Sequence, residues 1–197
     1  AVDAGAAALL CERRLDLPVA QLVVPDVRVA MAPAAAAVFD DPSADLDVVG
    51  VTGTNGKTTV VAMVTAILTH DGRSTREIGT LTGARTTPEA PDLQRLLAGF
   101  RSEGVTAVAM EISSHALALH RVDSLRVRVG VFTNLGIDHL DFHGTQESYF
   151  AAKAALFEPG RCDVGIVNIG DVHGRLLVHA GGPELRAGSA SDVSDVV

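Results

Sequence analysis

Gly53-Thr54-Asn55-Gly56-Lys57-Thr58-Thr59 is the stretch of this sequence whose residue types and order most directly suggest chemistry. Glycines let a backbone approach a ligand closely, a lysine adds a mobile positive charge, and a hydroxyl follows it at once; together they suit a chain of phosphates. Backbone N–H groups would surround the phosphate oxygens. Lys57 would neutralise β/γ-phosphate charge, the Thr58 hydroxyl would coordinate Mg2+, and the start of the following helix would add its partial positive charge. All seven residues are therefore expected to bind ATP. The spacing departs from the usual G-x-x-x-x-G-K-T, because Val51 stands where the first glycine belongs, with Gly50 one residue earlier and Gly53 inside the loop. The plain alternative is a glycine-rich turn with an incidental lysine.

Other polar residues gather in later segments. Glu111 follows the apolar run 105–110, so its carboxylate is expected at the strand end where phosphates lie, and a hard oxygen there suits Mg2+. A salt-bridged or helix-capping acid is the alternative. Asp138, His139, Asp141 and His143 could suggest a transition-metal hydrolase, but no separate His-x-His pair accompanies them and a Mg-ATP loop accounts for the site better. Ser113, Ser114 and His115 are neighbours in sequence, whereas a hydrolytic triad needs partners converging from separate segments. Lys153 falls inside a helical pattern with Tyr149, Phe150, Leu156 and Phe157, which by itself reads as a solvated or snorkelling lysine. Thr86 and Thr87 precede Pro88 in a loop that could offer exposed hydroxyls to an anionic ligand.

The elements that must position these residues alternate. Val48, Val49 and Val51 read as a strand entering the glycine loop, and residues 57–70 as the helix leaving it. Helices are then expected at 92–103 and 146–156, with strands at 105–110, 127–132 and 164–167. Such alternation predicts an α/β fold of P-loop type, a mostly parallel sheet with helices on both faces. Before it, a short strand at 21–24 and an alanine-rich helix at 27–39 read as the remnant of a small α/β domain. The polar cluster Asp40-Asp41-Pro42-Ser43 marks the boundary, giving a partial first domain at 1–45 and an ATP-binding domain at 46–197. Residues 1–10 read as the middle of an alanine-rich helix, and 181–197 as too polar and glycine-rich to close a domain.

Composition narrows the partners. The net charge is −8 with no separate basic patch, which argues against nucleic acid. No apolar run approaches the roughly 20 residues of a membrane span, so a cytoplasmic protein is expected. Cys11 and Cys162 are isolated, reduced thiols on this reading.

The loop at 50–59 resembles the ATP loop of the Mur ligases. Thr86-Thr87-Pro88, Met110-Glu111-Ile112-Ser113-Ser114-His115, Phe132-Thr133-Asn134-Leu135, Asp138-His139-Leu140-Asp141-Phe142-His143-Gly144 and the segment 149–157 are similar to the branch that adds the third amino acid to a UDP-N-acetylmuramoyl-dipeptide. The resemblance implies ATP and two Mg2+ sites, with Thr58 and Glu111 on one metal and Glu111 and His139 on the other. It also implies that Lys153 carries a CO2-derived carbamate ligating the second metal, so that Lys57, Glu111, His139 and Lys153 form the catalytic set. Thr86, Thr87, Ser113 and Arg121 are implied to hold the UDP-N-acetylmuramoyl-dipeptide; Asn134 is read as an organiser of the ATP site, with a loop-capping asparagine as the alternative. The other substrate would be an amino acid, diaminopimelate or lysine, joined through an acyl phosphate; the oligomeric state stays open, with a monomer expected. A folylpolyglutamate- or cyanophycin-synthetase-like ligase, or a noncatalytic nucleotide-binding module, are the rival readings. Leu119 replaces the usual glutamine two residues before Arg121, Ile137 a commonly polar residue, and Gly170 an acid between Asn168 and Asp171. The family's carboxyl-terminal domain has no counterpart in the sequence, so little beyond nucleotide binding is expected of the chain alone.

Overall fold

The computed structural model describes residues 1–182 and 184–189. Its amino-terminal part is a two-stranded parallel sheet of β1 (Ala8–Cys11) and β2 (Ala20–Val23), followed by helix α1 (Val27–Val38), whose first turn is capped by the Asp26 carboxylate. The helix expected over residues 1–10 is not formed. Gly5, at φ 87°, ends a single 3-10 turn, and Leu9 and Leu10 then pair with Gln21 and Leu22. Pairing between distant segments outweighs the local helix preference of alanine.

The larger part alternates as expected: β3 (Asp47–Thr52), α2 (Lys57–His70), β4 (Thr75–Ile78), α3 (Ala90–Ser102), β5 (Ala107–Glu111), α4 (Ser114–Ala118), β6 (Val127–Phe132), α5 (Leu140–His143), α6 (Gln146–Ala154), β7 (Cys162–Asn168), α7 (Val172–Ala180) and β8 (Glu184–Gly188). The six strands form one sheet in the order β4-β5-β3-β6-β7-β8, every neighbour parallel. Strand alternation sends successive side chains to opposite faces. Val51 and Ala109 pack beneath α2 with Val61, whereas Val48, Val108, Met110 and Phe132 join Leu93 and Leu97 of α3 on the other face. Helices therefore cover both faces.

Several boundaries move for local reasons. Helix α3 starts two residues before the expected 92, because Pro91 fits its first turn, where an N–H has no helical partner anyway. The expected helix 146–156 divides into α6 and a 3-10 turn, Ala155–Phe157. The segment thought unable to close a domain contributes β8, an edge strand paired with β7; residues 183 and 190–197 of that expectation lie outside the described residues. β4 escaped the sequence reading because Arg76 and Glu77 interrupt its apolar pattern, a composition common on edge strands.

No helix among the described residues is long and apolar enough to cross a membrane. Cys11 and Cys162 are free, and burial pushes the Cys162 thiol up to about 11. Because Leu97 is fully buried at the α3–sheet contact, Leu97→Ala is expected to cost about 2–5 kcal/mol, measured by denaturant unfolding.

Candidate functional site

Loops leaving the carboxyl ends of β3, β4, β5, β6 and β7 converge on one edge of the sheet, where open parallel sheets bind ligands. The missing glycine at position 51 is explained here. Val51 is still a buried strand residue, and the close approach comes at Gly53: a Cβ there would lie 1.9 Å from Thr133 Oγ1, and its φ is 149°. Gly56, at φ 84°, then caps α2.

Asn134 locks this loop. Its carbonyl accepts from the Thr54 amide (2.9 Å), its Oδ1 from the Asn55 amide (3.0 Å), and its Nδ2 donates back to the Asn55 carbonyl (3.2 Å). The donors left for phosphate are thus fewer than the sequence suggested. Thr54 and Asn55 spend their N–H groups on Asn134, while the amides of Gly56, Lys57, Thr58 and Thr59, at the start of α2, make no hydrogen bond among the described residues. Thr54 is a second anchor: its Oγ1 accepts from the Gly136 amide (2.8 Å) and shares a hydrogen bond with the Tyr149 hydroxyl (3.1 Å).

Glu111 ends β5 on the α2 face and is 2% exposed. Its Oε1 accepts from the Thr58 hydroxyl (3.0 Å) and the Thr80 amide (2.9 Å), and no cationic side chain among the described residues forms an ion pair with it. A buried carboxylate beside a hydroxyl, supported by neutral donors alone, fits a hard divalent cation brought from outside. The sequence reading missed the residues that hold this carboxylate. Gly79 makes room for it, since a Cβ there would sit 2.4 Å from Oε1, and Thr80 supplies the amide. The Ile78-Gly79-Thr80 break was the available signal, but β4 had to be read first.

Lys153 is not the solvated lysine its helical pattern suggested. It is 1% exposed, donates to the Gly53 carbonyl (2.8 Å) and stands 4.5 Å from the centre of the Tyr149 ring. Lys57 donates to the same carbonyl (2.9 Å) and to that of Thr54 (3.0 Å). Burial pulls the Lys153 ammonium down to about 7, the charge of Lys57 acts in the same direction, and Asp138 opposes both. Burial also lowers Lys57, with Glu111 and Asp138 opposing.

His139 is not joined to Glu111 or Lys153 by any hydrogen bond. Its ring lies 4.7 Å from that of His115 and 6.1 Å from Tyr149, and its Nε2 is 3.5 Å from Asp138. His143 hydrogen-bonds Ser114 (3.0 Å). Burial first, then neighbouring positive charges, lower His115 and His143. Among the described residues no group of three His, Cys, Asp or Glu side chains could hold a metal, so Asp138, His139, Asp141 and His143 form no such nest.

The residues implied in substrate binding converge, with one correction. Thr87 is buried rather than exposed: its hydroxyl donates to the Glu111 carbonyl (2.9 Å) and accepts from the Ser113 amide (3.1 Å), tying the loop after β4 to the end of β5. Thr86 shares a hydrogen bond with Thr80 (3.0 Å), and Arg121 donates to the Thr87 carbonyl (3.3 Å) and pairs with Glu89 (2.9 Å). Asn168 and Asp171 serve the framework. Asn168 holds the Thr133 carbonyl, and Asp171 caps α7 while accepting from the Leu135 amide.

Fold and loop together define an α/β domain of P-loop type. The chain belongs to the Mur ligase family, matching the Mur ligase middle domain over residues 51–186. It is 45% identical over 191 residues to the UDP-N-acetylmuramoyl-L-alanyl-D-glutamate--2,6-diaminopimelate ligase of Streptomyces coelicolor, covering 90% of this chain and 38% of that relative. A solved structure of a ligase of the same name, 29% identical, superposes with a TM-score of 0.82 over 98% of this chain and 42% of that one. The MurF ligase from Thermotoga maritima, solved with ADP, shares the fold at a TM-score of 0.65 and 19% identity, over 94% of this chain and 42% of its own. The chain spans about two fifths of the length of the curated relatives it matches.

Gly53→Ala, which forces Thr133 or the loop aside, is expected to weaken adenine-nucleotide binding by about tenfold or more in calorimetric titration, since a 1.4 kcal/mol loss already gives tenfold. A second expectation concerns pH. The unfolded chain keeps the Lys153 proton up to its ordinary 10.5 and the folded chain releases it near 7, so between these values the unfolded state binds more protons and stability rises with pH. Lys153→Met removes this dependence. Its stability relative to the parent is therefore expected to be most favourable below pH 7 and to decline as pH rises towards 10.5, by at most about 5 kcal/mol in unfolding titrations.

Proposed function

We propose that the chain is the ATP-binding part of a ligase of peptidoglycan precursor synthesis, one that joins diaminopimelate to UDP-N-acetylmuramoyl-L-alanyl-D-glutamate. The observation that carries the reading is the arrangement around Gly53: free amides at the start of α2, Lys57 beside them, and the Thr58–Glu111 pair directly behind. The names of the relatives favour diaminopimelate over lysine as the amino acid. Residues 1–45 would belong to the UDP-substrate domain and 46–197 to the ATP domain, acting in the cytoplasm on small molecules, as a monomer.

In this reading the amides of residues 56–59 hold the phosphates and Lys57 shields the γ-phosphate, while a substrate carboxylate attacks it, releasing ADP and giving an acyl phosphate; the incoming amine then attacks the acyl carbon, expels inorganic phosphate and loses a proton to form the amide. The chain positions and stabilises charge; it supplies no covalent nucleophile. Thr58 and Glu111 would hold one Mg2+, and Glu111, His139 and a carbamate on Lys153 a second, the metals neutralising phosphate charge when bound. The fit at Lys153 is chemical. Carbamate formation needs a neutral amine, and burial together with the charge of Lys57 favours that form by lowering the Lys153 ammonium to about 7. Thr86, Thr87, Ser113 and Arg121 line the substrate side; with its hydroxyl buried, Thr87 acts by shaping the loop.

Titration with ATP and Mg2+ tests the reading. Magnesium-dependent binding is expected, with a loss of about tenfold or more in Lys57→Met, as for a charge-assisted contact of at least about 1.5 kcal/mol; a folded parent that binds no nucleotide overturns it. A dipeptide-bearing UDP sugar should bind and a folate should not, which separates the proposal from a folylpolyglutamate-type ligase. For Lys153, 13C-labelled bicarbonate is expected to give a carbamate carbon resonance that is absent in Lys153→Arg. Identical spectra would remove the carbamate from the proposal.

A further inference from the structure

Three arginines from separate segments end on one carboxylate. Glu89 Oε1 accepts from Arg85 (2.7 Å) and Arg121 (2.9 Å), and Oε2 from Arg28 (2.8 Å). Arg28 lies in the first turn of α1, Arg85 on the loop after β4, and Arg121 beyond α4. None of the three pairs with another acid among the described residues, so three positive charges meet one negative charge.

Stability alone does not account for this arrangement. Guanidinium groups gathered at one carboxylate repel one another, and exposed ion pairs contribute little. Arg28 and Arg85 are 49% and 59% exposed, so about half of each side chain faces solvent, whereas Arg121 is 12% exposed and its Nε is a buried donor with no acceptor among the described residues. Glu89 stands at the N-cap of α3, yet its carboxylate makes no capping hydrogen bond and is turned to the arginines instead. The cluster also touches the reaction edge: Arg121 holds the Thr87 carbonyl, and Thr87 holds that of Glu111.

We propose that Arg28 and Arg85, held by Glu89 beside the Arg121 already placed on the substrate side, extend that side into a receptor for a doubly charged oxyanion of the substrate, bound across the junction of α1 with the larger sheet. Guanidinium forks match the paired oxygens of phosphate and carboxylate alike. The inference rests on the proposed function, whose UDP-muramoyl-dipeptide offers two sources of such a group, the diphosphate and the pair of glutamyl carboxylates. Arg28 and Arg85 are thereby specificity residues for the acidic substrate, distinct from the ATP loop.

The test is calorimetric titration of UDP-N-acetylmuramoyl-L-alanyl-D-glutamate into the full chain with the nucleotide site saturated by ADP and Mg2+. Arg28→Ala and Arg85→Ala are each expected to weaken binding about tenfold, near the lower end for a contact with a charged group, with unchanged ADP affinity. Glu89→Gln keeps the side-chain shape, removes the competing anion and is expected to bind the substrate at least as tightly as the parent. Repeating the titration with UDP and with L-alanyl-D-glutamate identifies the source, because only the fragment that supplies the oxyanion retains the sensitivity to Arg28 and Arg85. Folded arginine variants that bind the full substrate as the parent does would overturn the receptor and leave the ligase reading standing. Inorganic pyrophosphate bound in an Arg28- and Arg85-dependent way, by a parent that ignores the UDP substrate, would keep the receptor and overturn the ligase reading. A parent that binds neither overturns both.

Discussion

Two ammonium groups meet on one backbone oxygen. Lys57 reaches the Gly53 carbonyl from within the loop, and Lys153 reaches it from α6, a hundred residues later in the chain. Like charges this close, out of water, repel strongly. The arrangement persists because the carbonyl dipole serves both, the Tyr149 ring faces one of them, Asp138 contributes negative potential, and Lys153 readily gives up its proton. The rest of the site is arranged around that oxygen. Gly53 must be glycine to place it, Asn134 must hold the loop to keep it there, and α6 must pack tightly enough to exclude solvent from Lys153.

Glu111 offsets part of this positive charge, its carboxylate favouring the Lys57 ammonium. Its register opposite Val51 in the parallel pairing of β3 and β5 turns it towards α2, where Thr58 waits. A shift of one residue would send the carboxylate to the α3 face. The parallel sheet thus does more than carry loops, since strand register decides which polar groups meet.

What the sequence revealed was local. The loop at 53–59, the strand before it and the helix after it are contiguous, so residue type and spacing suffice to read them. Lys153 could not be placed that way: its helical pattern fits a solvated side chain equally well, and its burial depends on Tyr149 and on a loop far away in sequence. Thr87 misled for a similar reason. A threonine before proline suggests an exposed turn, but the Glu111 carbonyl and Ser113 amide, both supplied by the end of β5, draw its hydroxyl inside. Gly79 and Thr80 stayed hidden because β4 is a short, charged edge strand. At the amino end, alanine content pointed to helix where Leu9 and Leu10 found strand partners instead.

The Thr54 hydroxyl has a mechanical consequence. It takes one bond from the Gly136 amide and shares another with Tyr149, pinning three segments of distant sequence at a single atom. Helix α6 cannot slide without pulling on the glycine loop, and the loop cannot spring open without loosening α6. They form a linkage rather than two independent parts, so thermal motion at this edge of the molecule is shared between them.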